Sequence, residues 1–403
     1  MTMRKWTLWI VAVACLGACA RPTPAPGPEV GAKPMRVVGY LASWGVRSKG
    51  TRIADLPARD LTHIFYAFGK LGADGRAALG DPCLDIGMCD SVKAVNPGGN
   101  FAELRKLKER YPHLKLLVSL GGWTGSGKFS DAALTDSSRK LFAASAIDVF
   151  IRQTSGLFDG LDVDWEFPVS GGLRGNIERP EDKENFTLLL AEMRRQLTEE
   201  GAKDKRHYEL TIAASAGPRG FANIDAVRVA EQLDFICVMT YDYHSGSREA
   251  HYNSPLYAAN GDPTPAFNID STMRRWVNAG VPAKKLLVGI PFYAQPYAVT
   301  SKVNNGLFQQ SSGRPPGWRG GDGDWRTLSQ TRLKNPAYVR HWDSSARVPF
   351  LFDSTSGTWV SYDDPQSVGE KVRYVRDHGL GGVFIWELGG DDGTLMSAIV
   401  GRD

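Results

Sequence analysis

An α/β fold built as a closed (β/α)8 barrel is what this sequence predicts, and three observations predict it. Eight short apolar runs recur along the chain, and segments with helical periodicity separate them. Each gap is long enough for a crossover helix, so successive strands can run parallel. Strands that are apolar almost throughout must be buried on both faces, which a barrel inside a ring of helices provides. A doubly wound open sheet is the alternative, and no glycine-rich fingerprint follows the first strand to support it.

The chain of 403 residues opens on an export signal rather than on the barrel. Arg4 and Lys5 precede an apolar run from Trp6 to Leu16 that is short for a membrane span and ends in small residues. The boundary Leu16-Gly17-Ala18-Cys19 resembles a bacterial lipoprotein processing box, so residues 1–19 are read as a lipoprotein-type signal with Cys19 as the lipid attachment point. Cleavage after Ala20 to a soluble secreted product is the alternative. Residues 20–34 hold a proline-rich stretch whose extended conformers make a spacer.

The predicted strands then follow in order: RVVGYLA from Arg36, LTHIFYAF from Leu61, LKLLVSLGG from Leu114 and a run opening at Phe158. YELTIAAS from Tyr208, LDFICVMTYDY from Leu233, KLLVGIPFY from Lys285 and LGGVFIWEL from Leu380 complete the eight. Phe186, Leu189, Leu190, Met193 and Leu197 mark one intervening helix, and Val368, Val372 and Val375 another. The barrel is assigned residues 35–403, interrupted at 294–361 by an interval rich in Gly, Pro and Trp that reads as a small α+β subdomain on one rim. Cys83 and Cys89 lie close together in a Gly/Asp-rich loop and are candidates for a disulfide, whereas Cys237 sits in an apolar run as a small hydrophobe.

Charge excludes one class of partner. The 48 basic and 44 acidic residues leave a formal net charge of +4, and no run of like charges marks a nucleic-acid face. Neither CxxC nor HExxH occurs, so no metal or other cofactor is expected. The chain is read as a monomer.

The chemistry gathers in FDGLDVDWEFP, Phe158 to Pro168, where Asp159, Asp162, Asp164 and Glu166 crowd into eight residues. Side chains on a strand alternate faces, so Asp162, Asp164 and Glu166 point one way, into the barrel, and Leu161, Val163 and Trp165 the other. Carboxylates about 7 Å apart in a low-dielectric interior cannot all ionise cheaply, so a proton is retained among them. Glu166, at the strand's end and longest in reach, is the natural holder.

This spacing, Asp159-x-x-Asp162-x-Asp164-x-Glu166, resembles the signature of glycoside hydrolase family 18, the chitinases. Ser119-Leu120-Gly121-Gly122-Trp123, Met239-Thr240-Tyr241-Asp242 and Trp386-Glu387 agree with it, and the likeness runs from about Met35 to Val400. It implies hydrolysis of β-1,4 links in chitin or N-acetylglucosamine oligomers with retention, the nucleophile being the sugar's own 2-acetamido oxygen. By resemblance, Glu166 is the acid and base, and Asp164 orients the acetamido group. Asp162 shares a proton with Asp164, and Asp159 supports the network from the strand's beginning. Tyr241 would hold the acetamido oxygen and Asp242 the −1 sugar.

Trp386 would form the floor of the −1 subsite and Trp123 would stack at +1, with Tyr40, Phe68, Met239 and Tyr293 lining the cleft. Trp44 and Trp276 are read as packing residues, and Ser119, Gly121 and Gly122 as architectural ones that leave room for the acids. One departure stands out: where many family members carry an arginine two positions beyond the tyrosine of GIPFY, this chain has Gln295, which is expected to bind substrate by hydrogen bonding but lacks charge and fork geometry. A lectin-like protein without catalysis and an endoglycosidase acting on N-linked glycans are the competing functions. The expected location is the bacterial cell envelope or surface.

Overall fold

The computed structural model describes residues 2, 35–89 and 98–402. Cys19, the spacer 20–34 and all of the export segment but Thr2 lie outside them. The first seven barrel strands are β1 (Arg36–Ala42), β2 (His63–Leu71), β3 (Lys115–Gly121), β4 (Gly160–Asp164), β5 (Glu209–Ser215), β6 (Phe235–Met239) and β7 (Leu286–Pro291). Four strands of a second sheet come next: β8 (Gln295–Ala298), β9 (Val339–Asp343), β10 (Val348–Asp353) and β11 (Thr358–Ser361). The chain then returns to the barrel in β12 (Gly382–Trp386).

Each barrel strand pairs in parallel with its neighbours, and β1 pairs with both β2 and β12, which closes the cylinder. Closure leaves no open edge and gives every strand two buried faces. The outward face of β4 carries Leu161, Val163 and Trp165 into the large core beneath the helices. Phe186, Leu189, Leu190, Met193 and Leu197 of the helix Asp182–Asp204 meet it there, as their period requires, and so do Val368, Val372 and Val375 of the helix Pro365–Asp377. A second cluster fills the barrel's inside, built from Val38, Tyr40, Phe65, Leu117, Phe235, Cys237 and Phe384 among others.

The second sheet is antiparallel in the order β9-β10-β11-β8. Tyr297, Phe350 and Trp359 form its core, but Ala250 and Tyr252 from the loop after β6 complete it. The interval 294–361 therefore does not make this small core alone. Cys83 and Cys89 are joined by a disulfide. Trp276 is fully buried against the helices, in agreement with its reading as a packing residue.

Candidate active site

Strand register builds the site from the floor upward. Ser119 on β3, Asp162 on β4 and Thr211 on β5 are register partners, so their side chains enter the barrel in one row. Asp162 is wholly buried between them: its Oδ2 accepts from Ser119 Oγ at 2.7 Å and from Tyr40 OH at 2.9 Å, and its Oδ1 accepts from Thr211 Oγ1 at 2.6 Å. Burial raises the Asp162 pKa and these three hydroxyls oppose the rise. Ser119 is thus more than a small residue making room; it is a donor to the deepest carboxylate.

Asp164, one step along the same face, is buried, and among the described residues its Oδ1 has no hydrogen-bond partner. Burial first, then the charges of Glu166 and Asp162, hold its pKa well above the usual carboxylate range. No hydrogen bond joins Asp162 to Asp164 among the described residues; the hydroxyls occupy the lower carboxylate. Glu166 follows just past the strand end, pushed up to about 7 by burial and then by the charge of Asp242. Asp242 has a positive φ of 55° and opens onto the cleft; desolvation raises its pKa too, against the neighbouring Tyr293 hydroxyl and then the hydrogen bond from Gln295.

The loops fix the backbone of this strand end. Gly122 N–H donates to the Asp164 carbonyl at 2.9 Å. Ser126 Oγ lies 3.0 Å from that same oxygen and accepts the Glu166 N–H at 2.9 Å. Asn176 Nδ2 donates to the Glu166 carbonyl at 3.0 Å. Gly121 has φ +107°, and a Cβ there would meet the Asp164 carbonyl at 2.4 Å, so only glycine fits beside the acids. The peptide bonds Ala67-Phe68, Glu166-Phe167 and Trp386-Glu387 are cis.

Above the carboxylates lies a cleft of about 880 Å³ lined by Tyr40, Phe68, Trp123, Met239, Tyr241 and Trp386 together with Asp164, Glu166 and Asp242. Phe68 and Trp386 stack with centroids 5.7 Å apart and rings inclined by 20°. Such a wall offers flat apolar faces to the C–H faces of sugar rings, with a few convergent polar groups to orient them. Among the described residues no group of three His, Cys, Asp or Glu side chains is arranged to hold a metal ion.

Comparison with known proteins places this architecture. Residues 36–391 match the profile described as Glycosyl hydrolases family 18. The chain belongs to that family. It is 36% identical over 410 residues to Chitinase A1 of Niallia circulans, covering 91% of this chain and 58% of that one, so the chain spans rather more than half of that relative. Among solved structures, a chitinase from Bacillus thuringiensis superposes with a TM-score of 0.84 at 33% identity, covering 91% of this chain and 69% of the other. A family 18 N-acetylglucosaminidase from Paenibacillus barengoltzii gives 0.77 at 33% identity, covering 91% and 99%.

Four sequence expectations need revision within this family 18 frame. Asp159 does not reach the carboxylate row: it sits at the opposite end of β4, where it accepts from Lys108 Nζ at 2.5 Å, from the Leu116 N–H at 2.8 Å and from Arg206. Its odd number puts it on the outward face, with Leu161 and Val163. Trp44 is no packing residue, since it is 43% exposed and lines the cleft, much as Trp123 does at 46%. Tyr293 and Gln295 do not line the cleft. Tyr293 packs edge-on against Tyr241 and faces a smaller cavity, and Gln295 donates to Asp242 Oδ1 at 2.7 Å. Thr211, Ser126 and Asn176 went unrecognised; only Thr211 had a signal, as a lone polar residue at an inward position of an apolar strand.

Proposed function

We propose that this protein is an exported chitinase that hydrolyses β-1,4 links between N-acetylglucosamine residues with retention, using the substrate's acetamido oxygen as nucleophile. The observation that carries the reading is the Asp164 Oδ1 atom, a buried acceptor without a partner among the described residues on a side chain that lines the cleft. An unsatisfied buried acceptor is unfavourable by about 1–3 kcal/mol until a donor arrives, and the acetamido N–H of a sugar in the −1 position is such a donor.

The steps follow from that contact. Asp164 orients the acetamido group so that its carbonyl oxygen attacks the anomeric carbon, while Glu166 transfers its proton to the leaving oxygen and the glycosidic bond breaks. An oxazolinium ion results, and the carboxylates stabilise its positive charge. Glu166, now ionised, takes a proton from water as the water opens the ring from the same face. A pKa of about 7 suits both halves, because the group is about half protonated near neutral pH. Tyr241 steadies the acetamido oxygen, Asp242 holds the bent sugar, and Trp386 is the floor beneath it.

A product profile on defined N-acetylglucosamine oligomers, resolved by anomer, tests this. The β-anomer should appear first, and fully deacetylated oligomers should remain uncut. Initial release of the α-anomer, or equal rates on the two substrates, would sink the reading. Export rests on the N-terminal signal, and anchoring on Cys19: Cys19→Ala should move the protein from membranes to the soluble fraction, and retention in membranes counts against the anchor. No helix of the described residues is long and apolar enough to cross a membrane.

A further inference from the structure

Asp242 is held from two sides by one register pair of the second sheet. Gln295 on β8 and Ser361 on β11 are partners across that sheet. Gln295 Nε2 donates to Asp242 Oδ1 at 2.7 Å. Ser361 Oγ accepts the N–H of Asn253 at 2.7 Å, and Asn253 Oδ1 in turn accepts the N–H of Asp242 at 2.8 Å. Asn253 and Ser361 are both 2% exposed, so water offers neither group a substitute partner. The residue they hold has a positive φ, a conformation that non-glycine residues keep only when the surroundings over-determine it.

The adjoining residues are fastened as firmly. Ser254 Oγ donates to the Thr240 carbonyl at 2.6 Å and accepts from Lys371 Nζ at 2.8 Å. Lys371 is fully buried and pairs with Asp363 at 2.6 Å. Thr240 Oγ1 donates to the Gly289 carbonyl at 2.9 Å and accepts its N–H at 2.8 Å, tying this turn to β7. The segment from Thr240 to Asp242 is therefore clamped between the barrel, the second sheet and the helix Pro365–Asp377.

We propose that Asn253 and Ser361 are positioning residues, through which the second sheet holds the Asp242 carboxylate at the distance from Glu166 that catalysis requires. The inference rests on the function proposed above. Asp242 acts on Glu166 through space, so its placement sets how tightly Glu166 keeps its proton. Among the described residues, the other ionisable groups around this pair are Asp164 from β4, Tyr40 from β1, Tyr241 and Tyr243 on either side of Asp242, Tyr293 after β7 and Tyr297 from β8, with Arg219 on the cleft wall after β5. Of these, Tyr293 interacts with both Asp242 and Asn253 and so shares the anchorage that Ser361 gives.

The test compares Ser361→Ala, Asn253→Ala and Ser361→Thr with the wild type, by pH profiles of kcat on N-acetylglucosamine oligomers and by thermal unfolding. Once Asp242 can swing away from Glu166, the alkaline limb should move down by about half a pH unit, and kcat should fall roughly tenfold with a smaller change in KM. Ser361→Thr, which keeps the hydroxyl, should restore both. A merely structural role would lower the melting temperature and leave the limb of the folded enzyme where it was. If Asn253→Ala does not fold, Ser361→Ala carries the test alone. An active wild type whose Ser361→Ala variant keeps the same limb and kcat overturns the positioning role; an inactive wild type overturns the proposed function and this inference with it.

Discussion

Replacing Glu166 by Gln should abolish turnover and at the same time stabilise the fold, increasingly so as the pH rises from about 4.3 to about 7. Burial and the charge of Asp242 push Glu166 up to about 7, against about 4.3 for an exposed glutamate. Between these values the folded protein holds a proton that the unfolded chain has released. Stability therefore falls as the pH rises through the window: the favourable contribution is complete below about 4.3 and gone above about 7. At about 1.4 kcal/mol per pH unit, the loss at pH 8 has a ceiling of about 4 kcal/mol. An unfolding entropy of about 2.1 cal/mol/K per residue over a body of roughly 370 residues converts this to roughly 5 °C in melting temperature. Glutamine has no proton to lose, and its presence also removes a charge that raises Asp164, an effect of the same sign. Calorimetry at pH 4 and pH 8 is the assay, with retained binding of an N-acetylglucosamine oligomer as proof of an intact cleft. Equal differences in melting temperature between variant and wild type at the two pH values would refute the buried-proton argument.

Trp44→Ala and Trp123→Ala should each raise KM for long oligomers about 3- to 10-fold with little change in kcat, because both rings are exposed on the cleft wall and offer apolar faces rather than a proton or a charge. Unaltered KM for both would remove the aromatic wall from the binding account. Asp159→Asn should lower stability by about 2 kcal/mol through its weakened hold on Lys108 and Arg206, and leave kcat alone. A large fall in kcat in that variant would return Asp159 to the catalytic network.

The parts of this site that the sequence displayed are those governed by local period. Alternation along β4 placed Asp162, Asp164 and Glu166 on one face, and the same rule, applied to Asp159, puts it on the other. A motif read as a unit concealed that difference. Contacts made by register and by loops left little trace: Thr211 meets Asp162 only because β4 and β5 pair as they do, and Ser126 and Asn176 reach the strand end from turns. Exposure is equally illegible, since a tryptophan in an apolar context serves a core or a cleft wall alike. Trp276 serves the core and Trp44 the cleft wall. The second sheet was visible as a long Gly- and Pro-rich interval, but its dependence on Ala250 and Tyr252 is a long-range packing fact.

The same register that hid these contacts also sorts the protons. Three hydroxyls converge on Asp162, which suits an oxygen pair that only accepts, so the deepest carboxylate is the one best prepared to carry charge. Asp164 receives no such donor at Oδ1 and faces negative neighbours above and below, so a resting proton favours it and Glu166 over Asp162. Under the proposed function, an acetamido N–H reaching Asp164 would supply the donor it lacks and stabilise its carboxylate form, so the proton it held would become free to move. An acetylated sugar thus changes the charge state of the row as it binds, and a deacetylated one, which at acidic pH brings an ammonium group rather than an amide, cannot furnish the attacking oxygen. On that proposal, selectivity for the acetyl group would rest on the empty acceptor on β4 as well as on the nucleophile.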